Sequence, residues 1–300
     1  MRQRILQLRK RIKEEKPLIH CITNPISIHD CANVILAVGA RPIMAEHPAE
    51  VADITASAGA LMLNLGNITD ARIESMKRSM RTAMKNKIPV LLDLVGVACS
   101  DLRLDLAREL LSIGHPAVLK GNMSELLAVS GLPSHAIGID AGVEDALTEE
   151  NIDGVSEVLK AFSRNNQAIV LATGKQDFVT DGERVVLVQN GSVALSGITG
   201  TGCMVGALTA AFLPGREDNI AKEMTDSIEA GVWSGGEIGL NERSGNYLAA
   251  AVLGTALMGI AGEEAEKISR GPGSFQVNLL DEIYGLSDRQ LLDLLKIEMC

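Results

Sequence analysis

Short aliphatic runs that alternate with stretches of helical period constrain the fold of this chain more than any other feature. Candidate strands lie at 18–22, 42–45, 60–65, 90–94, 117–120 and 169–172, and helical patterns at 27–38, 70–85, 101–113, 124–130 and 151–164. A strand–helix–strand order needs crossover connections, which are right-handed and place helices on both faces of a mainly parallel sheet. The pattern changes at Phe178. Segments 178–180, 184–189 and 192–196, separated by Asp181-Gly182 and Asn190-Gly191, read as strands joined by tight turns and predict an antiparallel edge on that sheet. After Thr199 the chain reads as helical almost to its end, with Gly271-Pro272-Gly273 as the one firm break. No repeat or linker divides residues 1–300, so one α/β domain is expected, with 131–151 and 215–246 as irregular or inserted regions.

Composition supports this and excludes several functions. Hydrophobic residues make up 46% of the chain but aromatic residues only 2%, so the core must be aliphatic, which suits α/β layers better than an aromatic-rich sandwich. A net charge of −10 gives no overall field for a phosphate backbone or an anionic bilayer, so neither nucleic acid nor membrane is an expected partner. The five cysteines (21, 31, 99, 203 and 300) form no CxxC pair, which argues against a disulfide framework and a structural zinc site. Residues 1–17 are charged and amphipathic rather than signal-like. Segments 185–215 and 247–262 are polar or short and do not read as bilayer spans. A reducing cytoplasm is the expected compartment.

Ligands of open α/β sheets bind outside the carboxyl ends of the strands. Small or polar residues gather there: Thr23-Asn24-Pro25, Gly66-Asn67, Asp93, Gly121-Asn122-Met123-Ser124-Glu125 and Thr173-Gly174-Lys175. Any one of these is ordinary as a turn or helix cap. The sharpest feature is Ile198-Thr199-Gly200-Thr201-Gly202-Cys203-Met204, running into the apolar helix 205–213. Two glycines allow close approach of a ligand, and the helix start turns its amides toward it, so Gly200, Thr201 and Gly202 form a candidate anion hole. There is no Walker A motif, and no GxGxxG follows the first strand.

His20-Cys21-Ile22-Thr23-Asn24, Cys31-Ala32-Asn33 and Gly39-Ala40-Arg41-Pro42-Ile43-Met44-Ala45 resemble the N-terminal signature of the hydroxyethylthiazole kinases. The resemblance continues in order through Asp93-Leu94-Val95-Gly96-Val97, Gly121 to Glu125, Thr173-Gly174, Thr199 to Cys203 and Gly271-Pro272-Gly273-Ser274-Phe275. It implies a ribokinase-like fold and transfer of the ATP γ-phosphate to the primary alcohol of 4-methyl-5-(2-hydroxyethyl)thiazole, in thiamine salvage. Met44 and Gly200 would contact the thiazole alcohol, with Asn24 in the same pocket, and Lys120 and Thr173 would contact ATP. Glu125, in an Asn-x-x-Glu element with Asn122, and Asp93 would serve Mg²⁺. Cys203 would be the base that takes the alcohol proton, where most ribokinase-like kinases carry aspartate. Two positions depart from the family: Lys120 stands where arginine is common, which keeps the charge but loses the planar fork, and Leu94 stands for a proline. The resemblance further implies a homotrimer with active sites at subunit interfaces.

Other readings remain at this point. A hydroxymethylpyrimidine-type kinase would use the same fold, although Cys203 favours the thiazole. A thiol enzyme using Cys203 as nucleophile lacks a His partner beside the loop. A non-catalytic thiazole or nucleotide sensor would account for Lys120 and Leu94. Cys21 and Cys31 read as structural, and His20 as an oriented hydrogen-bonding residue. His29, His47, His115 and His135 show no metal-ligand spacing.

Overall fold

The computed structural model describes residues 1–132, 152–214 and 240–299. Helix α1 (Arg2–Glu15) leads into β1 (Leu18–Ile22), α2 (Ile28–Ala37), β2 (Arg41–Ile43), α3 (Val51–Ser57), β3 (Ala60–Asn64), α4 (Asp70–Lys85) and β4 (Val90–Asp93). Then come α5 (Asp101–Ile113), β5 (Val118–Asn122), α6 (Met123–Val129), α7 (Ile152–Asn166), β6 (Ile169–Thr173), β7 (Asp177–Thr180) and β8 (Val185–Val188). The chain ends in α8 (Thr201–Phe212), α9 (Leu240–Ile268), α10 (Pro272–Gly285), α11 (Asp288–Leu294) and β9 (Ile297–Met299). The strands form one sheet in the order β2-β1-β3-β4-β5-β6-β7-β8-β9, parallel through β6 and antiparallel beyond it.

Helices cover both faces of the parallel part, so its strands are aliphatic on both sides. Successive residues still divide between two cores. Met62 and Leu91 pack with α1, α2, α8 and α9, whereas Leu61, Leu63, Val90 and Leu92 pack with α4, α5 and α7. The site depends on how closely α8 lies on this sheet. A Cβ on Gly206 would stand 2.9 Å from Met62 Cε and 3.3 Å from Asp93 Oδ2, so only glycine lets the helix settle over β3 and β4.

The third antiparallel strand differs from the sequence expectation. Residues 192–196 are not a strand: Val193–Gly197 is a 3₁₀ turn, started by Ser192, whose side chain accepts from the Ala194 amide. The edge place beside β8 is taken by β9, from the far end of the chain. Asn190 explains this, because its side chain engages the C-terminal segment instead of turning a hairpin. Its Nδ2 donates to Leu294 O at 3.0 Å, and its Oδ1 accepts from Lys296 N at 2.8 Å.

Helix α3 was not anticipated, since Val51–Ser57 is short and mixes β-branched with small residues. The irregular region expected at 131–151 lies outside the described residues from 133 onward. Of that expected at 215–246, residues 240–246 belong to α9 and the remainder lies outside the described residues. Within α9, Ser244–Ile268 is a 25-residue apolar stretch, longer than the 247–262 read from the sequence. It is long and apolar enough to cross a bilayer by length and composition, yet 89% of its apolar window is buried inside the protein, as befits a core helix.

Candidate active site

Three adjacent strands bring a row of polar side chains to their carboxyl ends. Asn64 of β3 is in register with Asp93 of β4, and Asp93 with Lys120 of β5. All three are buried. Lys120 Nζ lies 3.1 Å from Asp93 Oδ1 and 3.0 Å from Oδ2, and Asn64 Nδ2 donates to Asp93 Oδ2 at 3.1 Å. Burial pushes the Asp93 carboxyl up against the pull of Lys120. Burial works to lower the Lys120 ammonium, but Asp93, Cys203 and Glu125 outweigh it and hold it above its ordinary value.

The start of α8 closes this row from above. Gly200 is its N-cap, at φ 86° in the left-handed region, and no side chain caps the helix. A Cβ at Gly200 would sit 3.2 Å from Ser27 Cβ, so this backbone packs directly against the start of α2. A Cβ at Gly202 would be 3.6 Å from Lys120 Nζ, which brings the expected anion hole to the expected phosphate-binding cation. One residue on, Cys203 Sγ meets Asn24 Nδ2 and Asn64 Nδ2, each at 3.2 Å.

Glu125 lies across β5 and is bound differently. Its Oε1 accepts from Gly96 N and its Oε2 from Asn122 N, both at 2.7 Å, while its own amide donates to Asn122 Oδ1 at 2.9 Å. This is a closed capping box at the start of α6. Burial pushes the Glu125 carboxyl up to about 7 despite Lys120, and Asp93 adds to the rise. Two buried carboxylates therefore share one ammonium. At the departure noted above, Leu94 N donates to Lys120 O at 2.8 Å, a ladder bond that a proline could not make.

Thr173 ends β6 in register with Asn122, and its hydroxyl donates to Gly121 O at 3.4 Å. Met44 follows β2, half-buried against the core on the α8 side of the sheet. His20 steadies the loop after Met44: its ring nitrogens meet Thr55 Oγ1 and Ala45 O, each at 2.9 Å, and burial lowers its pKa. It orients the chain, as expected. Cys21 and Cys31 are buried, and burial raises both thiols, Cys31 to about 12. The structure thus draws Asn24, Asp93, Lys120, Gly202 and Cys203 together, with Glu125 close enough to feel their charges. Thr173 ends β6, next to the strand of Lys120, whereas Met44 follows β2, at the far edge of the parallel part of the sheet.

Asn64 is the residue that sequence reasoning missed, because it lies within the strand whereas Gly66-Asn67 lie beyond its end. Its signal was an amide closing an otherwise aliphatic and fully buried strand. Ser27, buried against Gly200, was read only as a helix start.

A mostly parallel sheet with an antiparallel edge and helices on both faces is the ribokinase-like fold. A ribokinase-like superfamily protein from Enterococcus faecalis V583 shares it at TM-score 0.59 over 91% of this chain and 88% of its own, a likeness of fold alone at 11% identity. The sequence relationship is narrower. The profile of the hydroxyethylthiazole kinase family matches residues 9–235, and the chain belongs to that family. It is 44% identical over 292 residues to "Hydroxyethylthiazole kinase 2" of Clostridium botulinum (strain 657 / Type Ba4), covering 97% of this chain and 99% of the relative. "Hydroxyethylthiazole kinase" of Methanosarcina mazei is 37% identical over 96% of this chain and 97% of its own. The solved hydroxyethylthiazole kinase of Pyrococcus horikoshii OT3 superposes with TM-score 0.80 at 30% identity, covering 99% of each chain.

Proposed function

We propose that the protein transfers the γ-phosphoryl group of ATP to the primary alcohol of 4-methyl-5-(2-hydroxyethyl)thiazole, a step of thiamine salvage. One observation carries the reading beyond family membership. The uncapped start of α8 brings Gly202 beside Lys120 and Cys203 onto the polar strand ends. Phosphoryl transfer passes through a loose transition state that needs positioning and charge neutralisation more than a strong base. In this mechanism the alcohol oxygen forms the new O–P bond and the bond from the γ-phosphorus to the ADP oxygen breaks, its electron pair leaving on ADP. The alcohol proton passes to Cys203 in its thiolate form. Amides of Gly200, Thr201 and Gly202 and the Lys120 ammonium receive the charge on the transferring group. Asn24 and Met44 orient the thiazole, and Thr173 lies toward the nucleotide.

The residues also fit Mg²⁺. Two buried carboxylates with one ammonium between them leave a negative charge uncompensated, and magnesium asks for only one or two carboxylates while water and phosphate oxygens complete its shell. Among the described residues no group of three or more His, Cys, Asp or Glu converges on a point. Glu125, through water, and Asp93 would hold the ion, and bound there it supplies charge neutralisation on the β- and γ-phosphates.

Among the described residues, one continuous nine-stranded sheet supports reading the chain as a single domain. The free thiols of Cys21, Cys31, Cys99 and Cys203 support a reducing, cytoplasmic setting. A homotrimer whose interfaces complete the sites is part of the same proposal, as the family resemblance implies. The test is transfer from Mg-ATP to hydroxyethylthiazole, with hydroxymethylpyrimidine as the parallel acceptor and mass spectrometry as readout. Thiazole phosphate well above the pyrimidine product is expected. Preference for the pyrimidine, or binding of thiazole without transfer, would overturn the proposal.

A further inference from the structure

We infer that Asn64 is a positioning residue for the proton acceptor: with Asn24 it fixes the Cys203 sulfur as a double acceptor of hydrogen bonds. This rests on the reading of Cys203 given above. Backbone amides fix which end of each side-chain amide is oxygen. Asn64 Oδ1 lies 2.9 Å from the Gly66 amide, which can only donate, so its Nδ2 must face the other way. Asn24 Oδ1 accepts from the Ile26 and Ser27 amides at 3.1 and 3.2 Å, which fixes that side chain likewise.

The hydrogens can then be assigned one by one. The two on Asn64 Nδ2 go to Asp93 Oδ2 at 3.1 Å and Cys203 Sγ at 3.2 Å. The two on Asn24 Nδ2 go to Asn64 Oδ1 at 3.1 Å and Cys203 Sγ at 3.2 Å. The sulfur faces two N–H groups, and neither can take a proton from it. A proton arriving from substrate therefore has one direction left, the lone pair that points at neither amide. The same amide of Asn64 stands between the sulfur and the Asp93 carboxylate, so it separates two groups that would repel each other when both are charged. A sulfur held this way is oriented before substrate arrives and supported as an anion when the proton must move.

The test substitutes Asn64 by Leu, which keeps the volume and removes both donors, and follows two readouts. First, kcat should fall about tenfold with the ATP KM held within about twofold, and in the Cys203→Ala background the same change should cost no further activity, as coupled residues require. Second, alkylation of Cys203 by iodoacetamide at fixed pH, followed on its own peptide because Cys99 also reacts, should slow about tenfold. Mere loosening of the site would speed alkylation, so the sign separates positioning from structural damage. Asn64→Ser, which returns one donor, should recover part of both losses and stands in where the Leu variant does not fold. Additive losses in the double variant, or alkylation that is unchanged or faster, would overturn the inference. An unchanged kcat in Cys203→Ala alone would instead remove Cys203 as the base, while slowed alkylation in the Asn64 variant would still show that the amide acts on the sulfur.

Discussion

Helices α6 and α8 begin at the same edge of the sheet, yet their first turns are built in opposite ways. At α6 the orphan amides are taken up internally: Asn122 accepts from Glu125 N, and the Glu125 carboxylate reaches back to Asn122 N. At α8 the cap is Gly200 in the left-handed region, without a side-chain acceptor. The difference separates stability from function. A helix start that is closed on itself anchors β5 and aims a carboxylate, whereas one left open by glycine keeps its donors and dipole for an anion. Lys120 lies between the two, beside Gly202 on one side and within the field of Glu125 on the other.

Removing Lys120 should break the comparison most severely. Lys120→Met leaves the wholly buried Asp93 carboxylate without its ion-pair partner, and a broken buried pair costs about 3–5 kcal/mol. Urea unfolding should register this loss, and phosphate transfer should fall with it. A variant as stable as the parent would mean that Asp93 is neutral and that the phosphate side has no fixed cation.

The α6 side can be tested through pH. Because the folded Glu125 carboxyl titrates at about 7, above its unfolded value, its contribution to stability is fully present below the unfolded pKa and is lost as pH rises toward and through about 7. Without nucleotide or metal, the parent protein should therefore lose roughly 3 kcal/mol relative to Glu125→Gln between pH 4.5 and pH 8. Parallel stability curves for the two proteins would show that the carboxylate is compensated in the free enzyme. The smallest effect expected is at the cap itself. Asn122→Ala should lower stability by about 1 kcal/mol, as loss of a helix N-cap does, and a thermal melt would show it.

These contrasts also indicate what the sequence could and could not reveal. The parallel strands were legible because a strand buried on both faces must be aliphatic throughout, as in β3 and β4. Helices α4 and α5 kept the boundaries 70–85 and 101–113, where amphipathic period and acidic first turns agree. Strand β9 was invisible because three residues carry no periodicity, and its place was decided by Asn190 reaching across the fold. The site was legible as a set of strand ends, but its connections were not. Lys120, expected as an ATP contact, is also paired with Asp93, a link its position in the sequence does not announce. Asn64, which joins Asp93 to Cys203, is the last residue of β3 and lies inside the aliphatic stretch 60–65, where a core role is the ordinary reading.

The central claim, that α8 offers its amides to phosphate while α6 has already committed its own, is tested most directly by amide hydrogen exchange with and without Mg-ATP and thiazole. Thr201, Gly202 and Cys203 should become protected on binding, while Met123, Ser124 and Glu125 change little. Protection at the start of α6 with none at the start of α8 would contradict it.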